Sequence, residues 1–131
     1  MTEVFDIPSH LDELAKKVVN AAFHVHRNLG PGLLESVYER CLCYELDQAN
    51  VRYERQLALP IIYGELKIDG GLILDLLVGG ELIVELKAVE KLLDVHKAQL
   101  LTYLKLNRSR LGLLINFNVS LIKDGIKRIA L

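Results

Sequence analysis

Two short apolar runs separated by a pair of glycines constrain this chain most: Leu72-Ile73-Leu74-Asp75-Leu76-Leu77-Val78 and Leu82-Ile83-Val84-Glu85-Leu86-Lys87-Ala88. Runs apolar on both faces read as central strands covered on both sides of a sheet. Three lone charges, Asp75, Glu85 and Lys87, stand inside them. An ionised carboxylate in such surroundings carries a desolvation cost of several kcal/mol unless it is paired or bound to a metal. These charges need a chemical reason.

On a strand, Glu85 and Lys87 are two residues apart and share a face, while Leu86 points the other way. Where Asp75 falls depends on the intervening turn. A strict two-residue turn at Gly79-Gly80 would pair Asp75 with Val84, whereas an odd loop or a glycine bulge would pair it with Glu85. The odd loop or bulge is the expectation, because it gathers two carboxylates and one ammonium on a single patch. Such a patch suits a hard divalent cation, Mg²⁺ or Mn²⁺, which takes oxygen ligands and keeps several waters. The metal can activate water and neutralise charge developing on phosphorus, while the lysine orients that water or stabilises the transition state.

Around these strands the periodicity predicts a helix over 9–28, with Ser9 as N-cap and Asp12 and Glu13 in the first turn. Leu11, Leu14, Val18, Ala21, Ala22 and Val25 form its apolar stripe. Leu29-Gly30-Pro31-Gly32 ends it, and a second helix follows over 33–50, with Glu35, Glu39 and Arg40 off the apolar stripe. Strand character begins after Val51, with Pro60 marking an edge or bulge. A third helix is expected over 92–106, then a strand over 111–117 and a closing hairpin near Asp124-Gly125. The order implies α/β or α+β layering: a mixed central β-sheet flanked by helices. At 131 residues and 51% hydrophobic, the chain reads as one domain over 1–131 with a core of its own.

Sixteen basic and seventeen acidic residues leave a net charge of −1, which argues against a tight, nonspecific nucleic-acid coat. It does not argue against an enzyme whose acidic cluster is offset by a bound ion. Cys41 and Cys43 are badly placed for a mutual disulfide within a helix and lack the partners of a zinc site. They read as buried hydrophobes in a reducing compartment. No signal peptide is visible, and no run approaches the roughly 20 apolar residues of a membrane span. A cytoplasmic protein with no membrane partner is the expectation.

Together, Gly32-Leu-Leu-Glu35-Ser-Val-Tyr38, Asp75, Glu85-Leu-Lys87 and Gln99-Leu-Leu-Thr-Tyr103 resemble the GxxExxY family, a branch of the PD-(D/E)XK nuclease superfamily. The likeness runs from the first helix to Gly125-Ile126-Lys127-Arg128. Leu74 stands where the superfamily's name has proline. The resemblance implies a restriction-endonuclease-like core and hydrolysis of nucleic-acid phosphodiesters with Mg²⁺ or Mn²⁺. It makes Asp75 and Glu85 metal ligands, Lys87 the residue that assists the attacking water, and Glu35 a supporting acid that completes the metal site. Gln99 and Tyr103 match the glutamine and tyrosine of the exonuclease-like branch.

Lys97, with Lys105, Arg108 and Arg110, is a candidate phosphate contact, although a solvated helix face explains these residues equally well. His24, His26 and His96 read more simply as packing or solvent residues, and Glu35 alone would be an ordinary first-turn acid. The expected partner is nucleic acid, DNA foremost. A homodimer is the matching expectation, because so short a chain offers little surface to grip a duplex. The alternative is a noncatalytic nuclease-fold domain acting in protein interaction or self-association.

Overall fold

In the computed structural model, which describes residues 6–131, the first helical period yields α1 (Ser9–Leu29), whose stripe of Leu11, Ala15, Val18, Ala22 and Val25 is buried. It begins at Ser9 as expected, but its cap differs from expectation. Pro8, not Ser9, is the cap residue, and its carbonyl accepts the amides of Leu11 at 3.0 Å and Asp12 at 3.1 Å. The proline ring presets φ there, Ser9 becomes the first helical residue, and Asp12 pairs with Arg128 of the last strand.

α2 (Glu35–Gln48) is shorter at both ends than its periodicity suggests. Gly32 holds φ at 101° and Leu34 is extended, which delays the start, while Asn50 turns left-handed at φ 57° just past the end. Cys41 and Cys43 on this helix are free thiols, Cys43 buried. Glu39 departs from the expectation that it lies off the buried stripe: it is only 6% exposed. A buried carboxylate requires partners, and Glu39 has them in Arg55 and Gln56.

The sheet contains β1 (Tyr53–Tyr63), β2 (Leu66–Val78), β3 (Leu82–Lys87), β4 (Leu111–Asn116) and β5 (Ile126–Ala130), in that spatial order. Neighbours are antiparallel except β3 and β4, which are parallel. A parallel pair needs a crossover, and α3 (Asp94–Asn107) provides it. The sheet is thus mixed and lies between two helical layers. α1 and α2 close one core with Leu76, Val78, Val84 and Leu113, and α3 closes a second with Leu74, Leu77, Ile83 and Leu114. This double cover is why β3 is apolar on both faces. Pro60 falls on the edge strand β1, where the register shifts between Leu59 and Ile61. In α3 the buried residues are Leu100 and Leu104, whereas Leu93 lies before the helix, where its amide donates to His96 Nδ1 at 2.9 Å.

A short 3-10 helix (Ile122–Gly125) leads into β5. A Cβ on Gly125 would lie 2.1 Å from the carbonyl oxygen of Asn116. The buried Asn116 side chain in turn ties β4 to the segment after β3, accepting from Val89 N–H at 3.0 Å and donating to Val89 O at 2.9 Å. Gly125→Ala is therefore expected to destabilise the protein towards the upper end of overpacking costs, about 3 kcal/mol, because backbone rather than a flexible side chain would have to move. A fall in the urea midpoint with unchanged slope would show it, and an unchanged midpoint would refute it.

Candidate active site

The β2–β3 register pairs Leu76 with Val84, Leu77 with Ile83 and Val78 with Leu82. Residues 79–81 therefore form a three-residue loop, the odd loop expected from the sequence, and the ladder ends at Leu76, one position before Asp75. Gly79 and Gly80 both have positive φ, 60° and 74°, and a Cβ on Gly79 would meet Leu14 Cδ1 of α1 at 2.8 Å.

At Asp75 side chains take over from the backbone ladder. The Asp75 amide donates to Glu85 Oε2 at 2.9 Å, and the Leu86 amide donates to Asp75 Oδ2 at 2.9 Å. Each carboxylate thus has one oxygen fixed by the neighbouring strand. Glu85 is only 5% exposed. Burial, reinforced by the charge of Asp75, pushes its pKa up to about 8, against the opposing pull of the Asp75 amide and Lys87. Lys87 is half-buried at the end of β3 and makes no ion pair within 4.0 Å among the described residues.

Glu35 faces this pair from the first turn of α2. Partial desolvation raises its pKa, followed by the charge of Asp75, while Lys87 lowers it. Tyr38 determines where α2 begins. Its buried ring stacks on Phe117 with centroids 4.6 Å apart, and its hydroxyl donates to Gly30 O at 2.6 Å and accepts from Leu33 N–H at 3.1 Å. In the Gly32, Glu35, Tyr38 pattern the tyrosine is thus a clamp on the turn that presents the glutamate.

From the opposite layer, α3 brings Tyr103 to the site. Its pKa is raised first by desolvation and then by the charges of Glu85 and Asp75. Gln99, one turn earlier, is exposed and makes no hydrogen bond among the described residues. Lys97 lines a cleft of about 320 Å³ with Lys91, Asn116 and Lys127, none of the three carboxylates taking part. A roomier cleft of about 730 Å³ lies by Tyr53 and the Gly79-Gly80 turn, and it too excludes those carboxylates.

Among the described residues no three His, Cys, Asp or Glu side chains stand close enough together to hold an ion by themselves. Two adjacent carboxylates nevertheless fit a hard divalent cation that keeps several waters, and lack the nitrogen or sulfur donors typical of zinc. Sequence reasoning missed Glu39, Arg55 and Gln56. Arg55 Nε donates to Glu39 Oε2 at 2.7 Å, and Gln56 Nε2 donates to Glu39 Oε1 at 2.7 Å and Asp75 Oδ1 at 3.2 Å. The one available signal was that Glu39 follows Glu35 by four residues and so shares its helix face. His26 Nε2 donates to Val119 O at 2.8 Å, and His24 lies 3.9 Å from Glu45.

No helix among the described residues is long and apolar enough to cross a membrane. No curated protein and no solved structure matches the chain. A family model described as the PD-(D/E)XK nuclease superfamily matches residues 12–129, which take in most of α1, all of α2 and α3, strands β1 to β4, most of β5 and the carboxylate pair. The chain belongs to the PD-(D/E)XK nuclease superfamily.

Proposed function

We propose that this chain, as a single domain of the GxxExxY branch, hydrolyses phosphodiester bonds of nucleic acid, DNA foremost, with Mg²⁺ or Mn²⁺. The observation that carries the reading is the crossed pair of backbone bonds holding Asp75 and Glu85 side by side on adjacent strands. Evolved folds rarely bury Glu85 beside a second carboxylate without use for the arrangement. In this reading Asp75 and Glu85 hold the metal, and Glu35 supports it from α2. The bound metal supplies charge neutralisation at phosphorus and a more acidic water. Lys87 orients the attacking water from the shared strand face, Gln99 completes the site, and Tyr103 and Lys97 contact substrate. A homodimer in the cytoplasm belongs to the same proposal.

Superfamily membership and the complete Asp75, Glu85 and Lys87 set weigh against the noncatalytic alternative. The test is a thermal melt with and without Mn²⁺, followed by cleavage assays on single-stranded DNA, duplex DNA and RNA. At a hundred times its Kd, Mn²⁺ should add about 2.7 kcal/mol and raise the midpoint by several degrees. Metal-dependent strand cleavage is expected alongside it. No cleavage of any substrate with saturating Mn²⁺ would overturn the reading.

A further inference from the structure

Midway along β1, Gln56 holds φ at 50°, the left-handed region that a strand residue other than glycine, asparagine or aspartate rarely enters. Its neighbours stay in register, Arg55 opposite Leu76 and Leu57 opposite Leu74, so the distortion sits directly across from Asp75. The two sides of that point belong to different layers. Tyr53 and Leu76 pack with the core under α1 and α2, and Leu57 and Leu74 with the cluster under α3. The strand pair therefore changes face at Gln56 and Asp75.

The distortion brings the Gln56 amide between two carboxylates, Glu39 at 2.7 Å and Asp75 at 3.2 Å. Glu39 is buried and held on its other oxygen by Arg55 at 2.7 Å, so it anchors the amide from α2. Asp75 then has donors on both oxygens, Gln56 on Oδ1 and the Leu86 amide on Oδ2. Its carboxylate plane has little freedom left. Backbone strain retained at a residue whose side chain is spent on a site carboxylate points to a role in that site.

We propose that Gln56 is a positioning residue: anchored by Glu39, it sets the orientation of the Asp75 carboxylate for its ligand. The inference rests on the metal-dependent reading above. Partners of this kind, one step removed from a metal, typically alter affinity by about 10-fold to 100-fold.

The test uses Gln56→Gly and Gln56→Asn in the full chain. Both residues accept the left-handed conformation, and neither reaches Glu39 and Asp75 together, so the fold should survive in both. Mn²⁺ affinity is read by calorimetry, with Asp75→Asn as the control for loss of the site. The expected result is a roughly 10-fold or greater rise in the Mn²⁺ Kd, whether or not loss of the Glu39 contact also lowers the metal-free melting temperature. A purely structural residue would give a lower melting temperature at constant Kd, and that result overturns the proposal. Should the wild type bind no Mn²⁺, the nuclease reading fails separately, and nitrogen-15 NMR of the Gln56 side-chain amide decides. A slowly exchanging amide signal that moves on Asp75→Asn upholds the positioning role, and a freely exchanging, unmoved one overturns it.

Discussion

Glu85→Gln is expected to abolish metal-dependent cleavage while making the metal-free protein more stable at alkaline pH. The amide keeps an oxygen to accept the Asp75 N–H that now bonds Glu85 Oε2 at 2.9 Å, so the strand contact survives. On the proposed reading it removes one of the two anionic ligands and with it most of the attraction for a divalent cation. The stability effect follows from linkage. Glu85 titrates near 4.3 in an unfolded chain and is pushed up to about 8 in the fold, chiefly by burial and then by Asp75. Between these values the folded protein holds a proton that the unfolded chain has released. Its stabilising contribution is full below the lower value and is lost as pH rises through the upper one, at roughly 1.4 kcal/mol per pH unit at most.

Wild-type melting temperatures without metal should accordingly fall from pH 5 to pH 8 more steeply than those of Glu85→Gln, and the variant should melt higher at pH 8.5. With Mn²⁺ present the order should reverse, because the cation displaces the proton in the wild type and binds more tightly as pH rises. Parallel pH profiles for the two proteins would refute the account of Glu85, and residual cleavage by the variant would refute its role as a ligand.

Tyr38→Ala should have the largest effect on folding. The side chain is completely buried, stacked on Phe117 at 4.6 Å, and bonded through its hydroxyl to two backbone groups of the Gly30–Leu33 turn. Aromatic-to-alanine changes at such sites cost about 3–5 kcal/mol, a large share of the total stability of a domain this size. Tyr38→Phe separates the two contributions. It keeps the stack and the volume but leaves Gly30 O and Leu33 N–H without their partner, a loss of about 1–2 kcal/mol. Urea unfolding of the three proteins gives both numbers. Because the hydroxyl clamp fixes the start of α2, Tyr38→Phe should also weaken any contribution of Glu35 to metal binding, whereas a clamp irrelevant to the site would leave Mn²⁺ affinity unchanged.

The carboxylate pair and the sheet around it were legible because their signals are local. Apolar runs too dense for one exposed face specify central strands, and the parity of the Asp75–Glu85 separation leaves an odd loop or a glycine bulge as the way to put both acids on one patch. The three-residue loop meets that requirement. Pro60 announced the edge, and helix periods announced three helices to within a few residues. α1 begins at Ser9 as expected, but its cap was misplaced by one position, because Pro8 and Ser9 both suit a helix entry and the competition is decided by φ rather than by side-chain chemistry.

What only the tertiary structure decided is everything that depends on how α2 crosses β1. Glu39 looks like a solvent-facing acid in its helix, and Gln56 like an ordinary strand residue. They meet because the packing of α2 over the sheet carries Glu39 to Arg55 and Gln56. Lys97 shows the converse: its helix is read from periodicity, but its cleft is set by where α3 lands on β4. Periodicity and turn chemistry act over a few residues and are written in the chain. The angle and depth at which two layers pack arise from the summed shape of many side chains, and no short segment carries them.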